Sequence, residues 1–124
     1  MNKHRILVVE NELIVARDVA IQLKMLGYEP LGPATTGEQA LEMAKQLHPQ
    51  LVLMDIHLAS FMDGIDAAQA IRTLWGIPCV FMSAFFGNAE QLARAKLAEP
   101  SGLLEKPFQE FELRDVITAA FKGH

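Results

Sequence analysis

The sequence predicts an α/β fold in which a parallel sheet is wound on both faces by helices, and three observations carry that prediction. Five short apolar runs alternate with five stretches of helical periodicity along 124 residues. Three of the runs are continuously apolar instead of alternating, as strands covered on both faces must be. Polar residues fit for chemistry stand at the ends of four runs, and an open parallel sheet binds its ligands at the carboxyl ends of its strands.

In chain order, Ile6 to Val9 is the first strand. Val15, Val19, Leu23 and Leu26 then fall on one helical stripe, which places a helix over Glu12 to Leu26, and Gly27 supplies a left-handed stop. A weaker run covers Glu29 to Gly32. Thr36 followed by Gln39 reads as a capping box for a second helix with an apolar face of Ala40, Leu41, Ala44 and Leu47, ending before Pro49. Leu51 to Met54 is the third strand, and Ile65, Ala68, Ile71, Leu74 and Trp75 mark a third helix, stopped by Gly76-Ile77-Pro78. The fourth strand is Cys79 to Met82. Asn88 with Gln91 caps a fourth helix whose stripe, Leu92, Ala95 and Glu99, is feeble, so this helix is expected to move most readily. Leu103 and Leu104 give a short fifth strand, and Leu113, Val116, Ile117, Ala120 and Phe121 mark a last helix over about Gln109 to Lys122. Strict alternation with short connections demands right-handed crossovers, hence a doubly wound three-layer sandwich.

Length allows one domain, 1–124. With 51% hydrophobic and 21% charged residues the chain is too apolar to be disordered. A net charge of −4 with scattered Lys and Arg offers no basic stripe, which points away from direct nucleic-acid binding. The longest apolar runs are four to five residues, far short of a membrane span, and Met1-Asn2-Lys3-His4-Arg5 lacks a signal-peptide core, so a cytoplasmic protein is expected. The single cysteine, Cys79, lies inside an apolar run and reads as a buried thiol. His4, His48 and His124 read as surface residues.

The strand ends bring together Glu10-Asn11-Glu12, Asp55, Ser83-Ala84 and Lys106-Pro107. Taken singly, the first is most often a solvated helix start, and a lone Ser or Lys needs no function. Asp55 is different, because a carboxylate abutting a buried apolar run needs compensation for its desolvation. Together these groups suit phosphoryl transfer to a carboxylate. Both partners are anionic, so a cation must neutralise the oxygens as they approach. Mg2+ takes hard oxygen ligands, which Glu10, Asn11 and Asp55 can supply. Lys106 would add a fixed charge, and the Ser83 hydroxyl a hydrogen bond.

Ile6-Leu7-Val8-Val9-Glu10-Asn11-Glu12, Leu53-Met54-Asp55-Ile56, Met62-Asp63-Gly64, Met82-Ser83-Ala84 and Glu105-Lys106-Pro107-Phe108 stand in the order and near the spacings of response-regulator receiver domains, which the chain resembles from about Arg5 to Phe121. The resemblance implies a flavodoxin-like sheet of order 2-1-3-4-5 with five helices. It makes Asp55 the phosphoacceptor, fed by a histidine kinase, a phosphotransfer protein or a small phosphodonor. Glu10, Asn11, Asp55 and the backbone carbonyl of His57 would surround Mg2+, Ser83 and Lys106 would sense the phosphate, and the Lys106-Pro107 bond would be cis. Catalysis would be limited to the domain's own phosphorylation and dephosphorylation. The resemblance further implies a kinase docked near Val15 to Val19, an output partner on the fourth helix, fifth strand and fifth helix, and a dimer formed on phosphorylation.

Four features depart from the family pattern. Asn11 replaces the usual second aspartate, so weaker metal binding is expected. Leu103 stands where an aromatic rotamer switch is common, leaving Ser83, its loop and the fourth helix to carry a signal. The loop after Asp55 is one residue longer and lacks its proline, and Phe85 is bulky enough to shield an acyl phosphate from water. Two other functions compete: a degenerate receiver that only binds proteins, supported by Asn11, and a flavin-binding electron carrier, opposed by an acidic first loop with no glycine or hydroxyl cluster.

Overall fold

The computed structural model describes residues 3–123. The expected alternation is present: β1 (Arg5–Val9), α1 (Leu13–Met25), β2 (Glu29–Ala34), α2 (Gly37–Leu47), β3 (Leu51–Asp55), α3 (Gly64–Trp75), β4 (Cys79–Ser83), α4 (Ala89–Leu97), β5 (Gly102–Glu105) and α5 (Glu110–Lys122). The strands form one parallel sheet of order β2-β1-β3-β4-β5.

Side chains of a strand alternate between faces, which splits the apolar runs into two cores. Leu7, Val9, Val52, Met54 and Phe81 pack with Ala40, Ala44, Ile65, Ala68, Ile71 and Ala95. Ile6, Val8, Leu53, Val80 and Met82 pack with Val19, Leu23, Leu113, Ile117 and Ala120. Apart from Arg5 at the start of β1, the central strands are buried on both faces, and that is why their runs lack alternation. Edge strand β2 carries Pro30 and Pro33, which an outer strand tolerates because one side needs no ladder donors.

Local differences from the expectations have local causes. Thr36 accepts the Gln39 amide at 3.0 Å, but the Gln39 side chain takes the Thr35 amide at 2.7 Å, so the reciprocal arm falls one residue early. Leu74 is exposed, because Trp75 fills the inward place on the last turn of α3, and Ala67 joins the buried face instead. α4 buries only Ala95, matching its feeble stripe. His4 and His48 are exposed as expected, and the expectation for His124 lies outside the described residues. Cys79 is buried, and burial pushes its thiol up to about 12. Among the described residues no helix is long and apolar enough to cross a membrane.

Candidate functional site

β1 and β3 are neighbours with Val9 opposite Met54, so the residues that follow, Glu10 and Asp55, come level at the carboxyl edge. Asp55 pairs across to Met82 and Ser83 to Glu105, which brings Ser83 and Lys106 to the same edge. Among the described residues the only fully buried polar side chains are Glu10, Asp55 and Ser83. Burial of this kind is costly unless something compensates it.

Lys106 supplies part of that compensation. Its Nζ lies 2.7 Å from Glu10 Oε1 and 3.5 Å from Asp55 Oδ2. The remaining oxygens are met by backbone: Glu12 N–H donates to Glu10 Oε2 at 3.2 Å and His57 N–H to Asp55 Oδ1 at 2.9 Å. One ammonium still faces two carboxylates. Burial, then the hydrogen-bonded Glu10 carboxyl, push Asp55 up to about 7, against the opposing pull of the His57 N–H and Lys106. Burial works against the charge of Lys106 as well, but its hydrogen bond to Glu10 and the charges of Asp55 and Glu10 raise it above the ordinary lysine value.

Three of the expected residues, Glu10, Asp55 and Lys106, are therefore in contact. Asn11 and His57 adjoin them in the chain with exposed side chains, and Glu12 is exposed too. Among the described residues no group of three His, Cys, Asp or Glu side chains could hold a metal, so a metal at the two carboxylates would need further oxygens from amide, backbone or water. Ser83 reaches the edge, yet its hydroxyl donates to Phe85 O at 2.9 Å and accepts Phe85 N–H at 3.1 Å. A buried hydroxyl needs a partner, and the backbone two residues on is within its reach. The Phe85 ring is exposed and lies against Gly87. The Lys106-Pro107 bond is cis, as is Gly32-Pro33.

The long loop after β3 has a definite course. Leu58 turns inward, Ser60 Oγ accepts Gly37 N–H at 3.2 Å and donates to Met62 O at 2.6 Å, and Met62 N–H donates to Glu38 Oε2 at 3.2 Å. The loop is thus fastened to the start of α2, with Phe61 wholly exposed. Gly64, whose role the sequence reading missed, leans on the phosphoacceptor candidate: a Cβ there would overlap the Asp55 carbonyl oxygen. Its signal was the Asp63-Gly64 pair at a helix start. Beside Lys106, a cavity of about 300 Å3 opens between α1 and the segment after β5, lined by Val15, Asp18, Val19, Gln22, Pro107 and Phe108.

Known proteins share this layout. The sequence pattern of the response regulator receiver domain matches residues 6–118. The transcriptional regulatory protein PdtaR of Mycobacterium tuberculosis is 36% identical over 116 residues, 94% of this chain and 56% of its own length. Chemotaxis protein CheY of Halobacterium salinarum is 30% identical over 118 residues, 95% of this chain and 96% of its own. The signal receiver domain of a modulated diguanylate cyclase from Desulfovibrio desulfuricans superposes with a TM-score of 0.92 at 32% identity, covering 98% of this chain and 96% of that one. The chain spans about half the length of several curated relatives, between 42% and 56%. It belongs to the response regulator receiver domain family.

Proposed function

We propose that Asp55 accepts a phosphoryl group from the phosphohistidine of a kinase or phosphotransfer protein, in a Mg2+-dependent reaction, and that the change is passed to a partner-binding surface. The observation that carries this reading is the buried Glu10–Asp55 pair sharing one ammonium, Lys106. Two carboxylates held together with too little positive charge favour a proton or a cation between them, and burial, then the neighbouring Glu10 carboxyl, displace Asp55 upward. Glu10, Asp55, the Asn11 amide oxygen and the His57 carbonyl make an all-oxygen set that fits Mg2+. Bound there, the ion would neutralise the phosphoryl oxygens.

The chain's own residues do the rest. An Asp55 oxygen attacks phosphorus, and the bond from phosphorus to the donor's imidazole nitrogen breaks as the new P–O bond forms. The His57 N–H fixes one carboxylate oxygen, and Lys106 keeps its charge between Glu10 and the reacting group. To donate to a phosphoryl oxygen, the Ser83 hydroxyl has to leave the Phe85 backbone, which releases the loop leading to α4. The cavity beside Lys106 suits a donor protein's helix. No chemistry beyond phosphorylation and dephosphorylation of Asp55 is assigned, and work in the cytoplasm with an output partner or domain completes the proposal.

Acetyl phosphate with Mg2+ tests it by intact mass. A gain of one phosphoryl group, lost in Asp55→Asn, is expected. No gain at any donor concentration would instead favour the degenerate receiver, the reading that Asn11 supports.

A further inference from the structure

We propose that Arg94 is a positioning residue that ties α4 to the loop and helix start resting on Asp55, so that α4 follows the state of Asp55 by a route that needs neither Ser83 nor an aromatic at position 103. The inference rests on the phosphoacceptor reading above.

The route is a chain of contacts. Gly64 lies against the Asp55 carbonyl so closely that no Cβ fits, and its N–H donates to Ile56 O at 3.3 Å. Asp63, the residue before it, caps α3 by accepting Asp66 N–H at 2.9 Å. The same Asp63 carboxylate receives Arg94 from α4, at 2.9 Å through Oδ2 and 3.3 Å through Oδ1, and Arg94 also reaches Asp66 Oδ1 at 2.9 Å. A guanidinium gripping two carboxylates in a fork holds direction as well as distance, which a lysine cannot do. The apolar hold on α4 is slight, since Ala95 is its only buried residue. One turn further on, just past the end of α4, Arg72 of α3 donates to Ala98 O at 3.3 Å and pairs with Glu99 at 3.3 Å. α4 is therefore fastened to α3 by two arginines around its C-terminal turn, and the Arg94 contact stands on the residue next to Gly64. A shift of the Asp55 backbone displaces Gly64, turns the Asp63 cap, and moves the anchor of α4.

The test uses the whole chain with beryllofluoride and Mg2+ as the phosphoryl mimic, read by backbone amide chemical shifts. In the wild type, amides near Asp55 and those of Ala89 to Leu97 should both shift. In Arg94→Ala the shifts near Asp55 should persist while those of α4 fall by at least half, and Arg94→Lys should restore them only in part. Full α4 shifts in Arg94→Ala overturn the proposal while leaving the phosphoacceptor reading intact. A wild type with no shift near Asp55 overturns both. Loss of shifts everywhere in Arg94→Ala, with the fold retained by circular dichroism, also overturns it, because Arg94 would then serve the site itself.

Discussion

Replacing Asp55 with Asn should stabilise the metal-free protein at pH 8, although it destroys the proposed function. Asp55 is buried, and burial followed by the Glu10 carboxyl push it from 3.8 to about 7. Each unit of displacement corresponds to roughly 1.4 kcal/mol between the two protonation states, which sets a ceiling of about 4 kcal/mol. Solvent at the mouth of the sheet screens the charges, and an amide gives up the ion pair with Lys106. About 2 kcal/mol is therefore expected, equivalent to roughly 6 °C in Tm for a chain of this size. The sign follows from linkage. A carboxyl raised in the folded state contributes its full stability below its unfolded value, near 3.8, and loses it as pH rises through about 7. The advantage of Asp55→Asn should thus be small at pH 4, grow between about 4 and 7, and level off above. Thermal melts of both proteins in EDTA across that range measure it. Equal melting at pH 8, or a difference that does not vary with pH, would refute the reasoning.

Asn11→Asp adds a third carboxylate beside Glu10 and Asp55, so it should tighten Mg2+ binding by roughly 5- to 30-fold, about 1–2 kcal/mol once repulsion among the carboxylates and their desolvation offset most of the attraction. Calorimetric titration measures this, and equal dissociation constants would remove the charge argument. Gly64→Ala drives a methyl into the Asp55 carbonyl, a backbone atom with no room to give, so urea denaturation should show a loss of about 3 kcal/mol. A loss under about 0.5 kcal/mol would mean that α3 shifts freely away from Asp55. The Cys79 thiol, buried and pushed up to about 12, should resist iodoacetamide in the native protein at pH 8 and react once the chain is unfolded. Rapid native labelling would place it at the surface.

Periodicity made the elements legible because both faces of the central sheet are covered: Leu51 to Met54 and Cys79 to Met82 read as buried strands and are wholly buried. Glu10, Asp55 and Lys106 were legible for a different reason, since each follows a strand and the topology brings strand ends together. What stayed hidden depends on distances that no local pattern encodes. Gln39 bonds to Thr35 rather than Thr36 because its side chain is long enough to reach past the cap, and the one-residue difference cannot be read from the pair. Ser83 satisfies itself on Phe85, and Phe85 folds onto Gly87, both choices made within a loop of irregular backbone. Arg94 meets Asp63 and Asp66, about 30 residues earlier, a separation no periodicity argument spans.

A switch responds only where the hold on its moving element is no larger than the energy available at its trigger. Carrying a two-state element from 1:99 to 99:1 takes about 5.5 kcal/mol of differential interaction. An element locked by a large apolar face would demand more than a change at one carboxylate can deliver. α4 has no such face: one buried alanine and exposed ion pairs hold it, and exposed pairs contribute little each. At the other end, Asp55 is held among groups that oppose its charge by about 2 kcal/mol, so a change there can shift a weakly held element by a factor of roughly 30 and not a firmly packed one. The feeble stripe that first marked α4 in the sequence is on this account the source of its responsiveness. Strengthening it should silence the switch: a pair of apolar substitutions burying α4 more deeply ought to raise stability and shrink its beryllofluoride-induced shifts together. If stability rose while the shifts stayed unchanged, weak packing of α4 would not be the property that lets it respond.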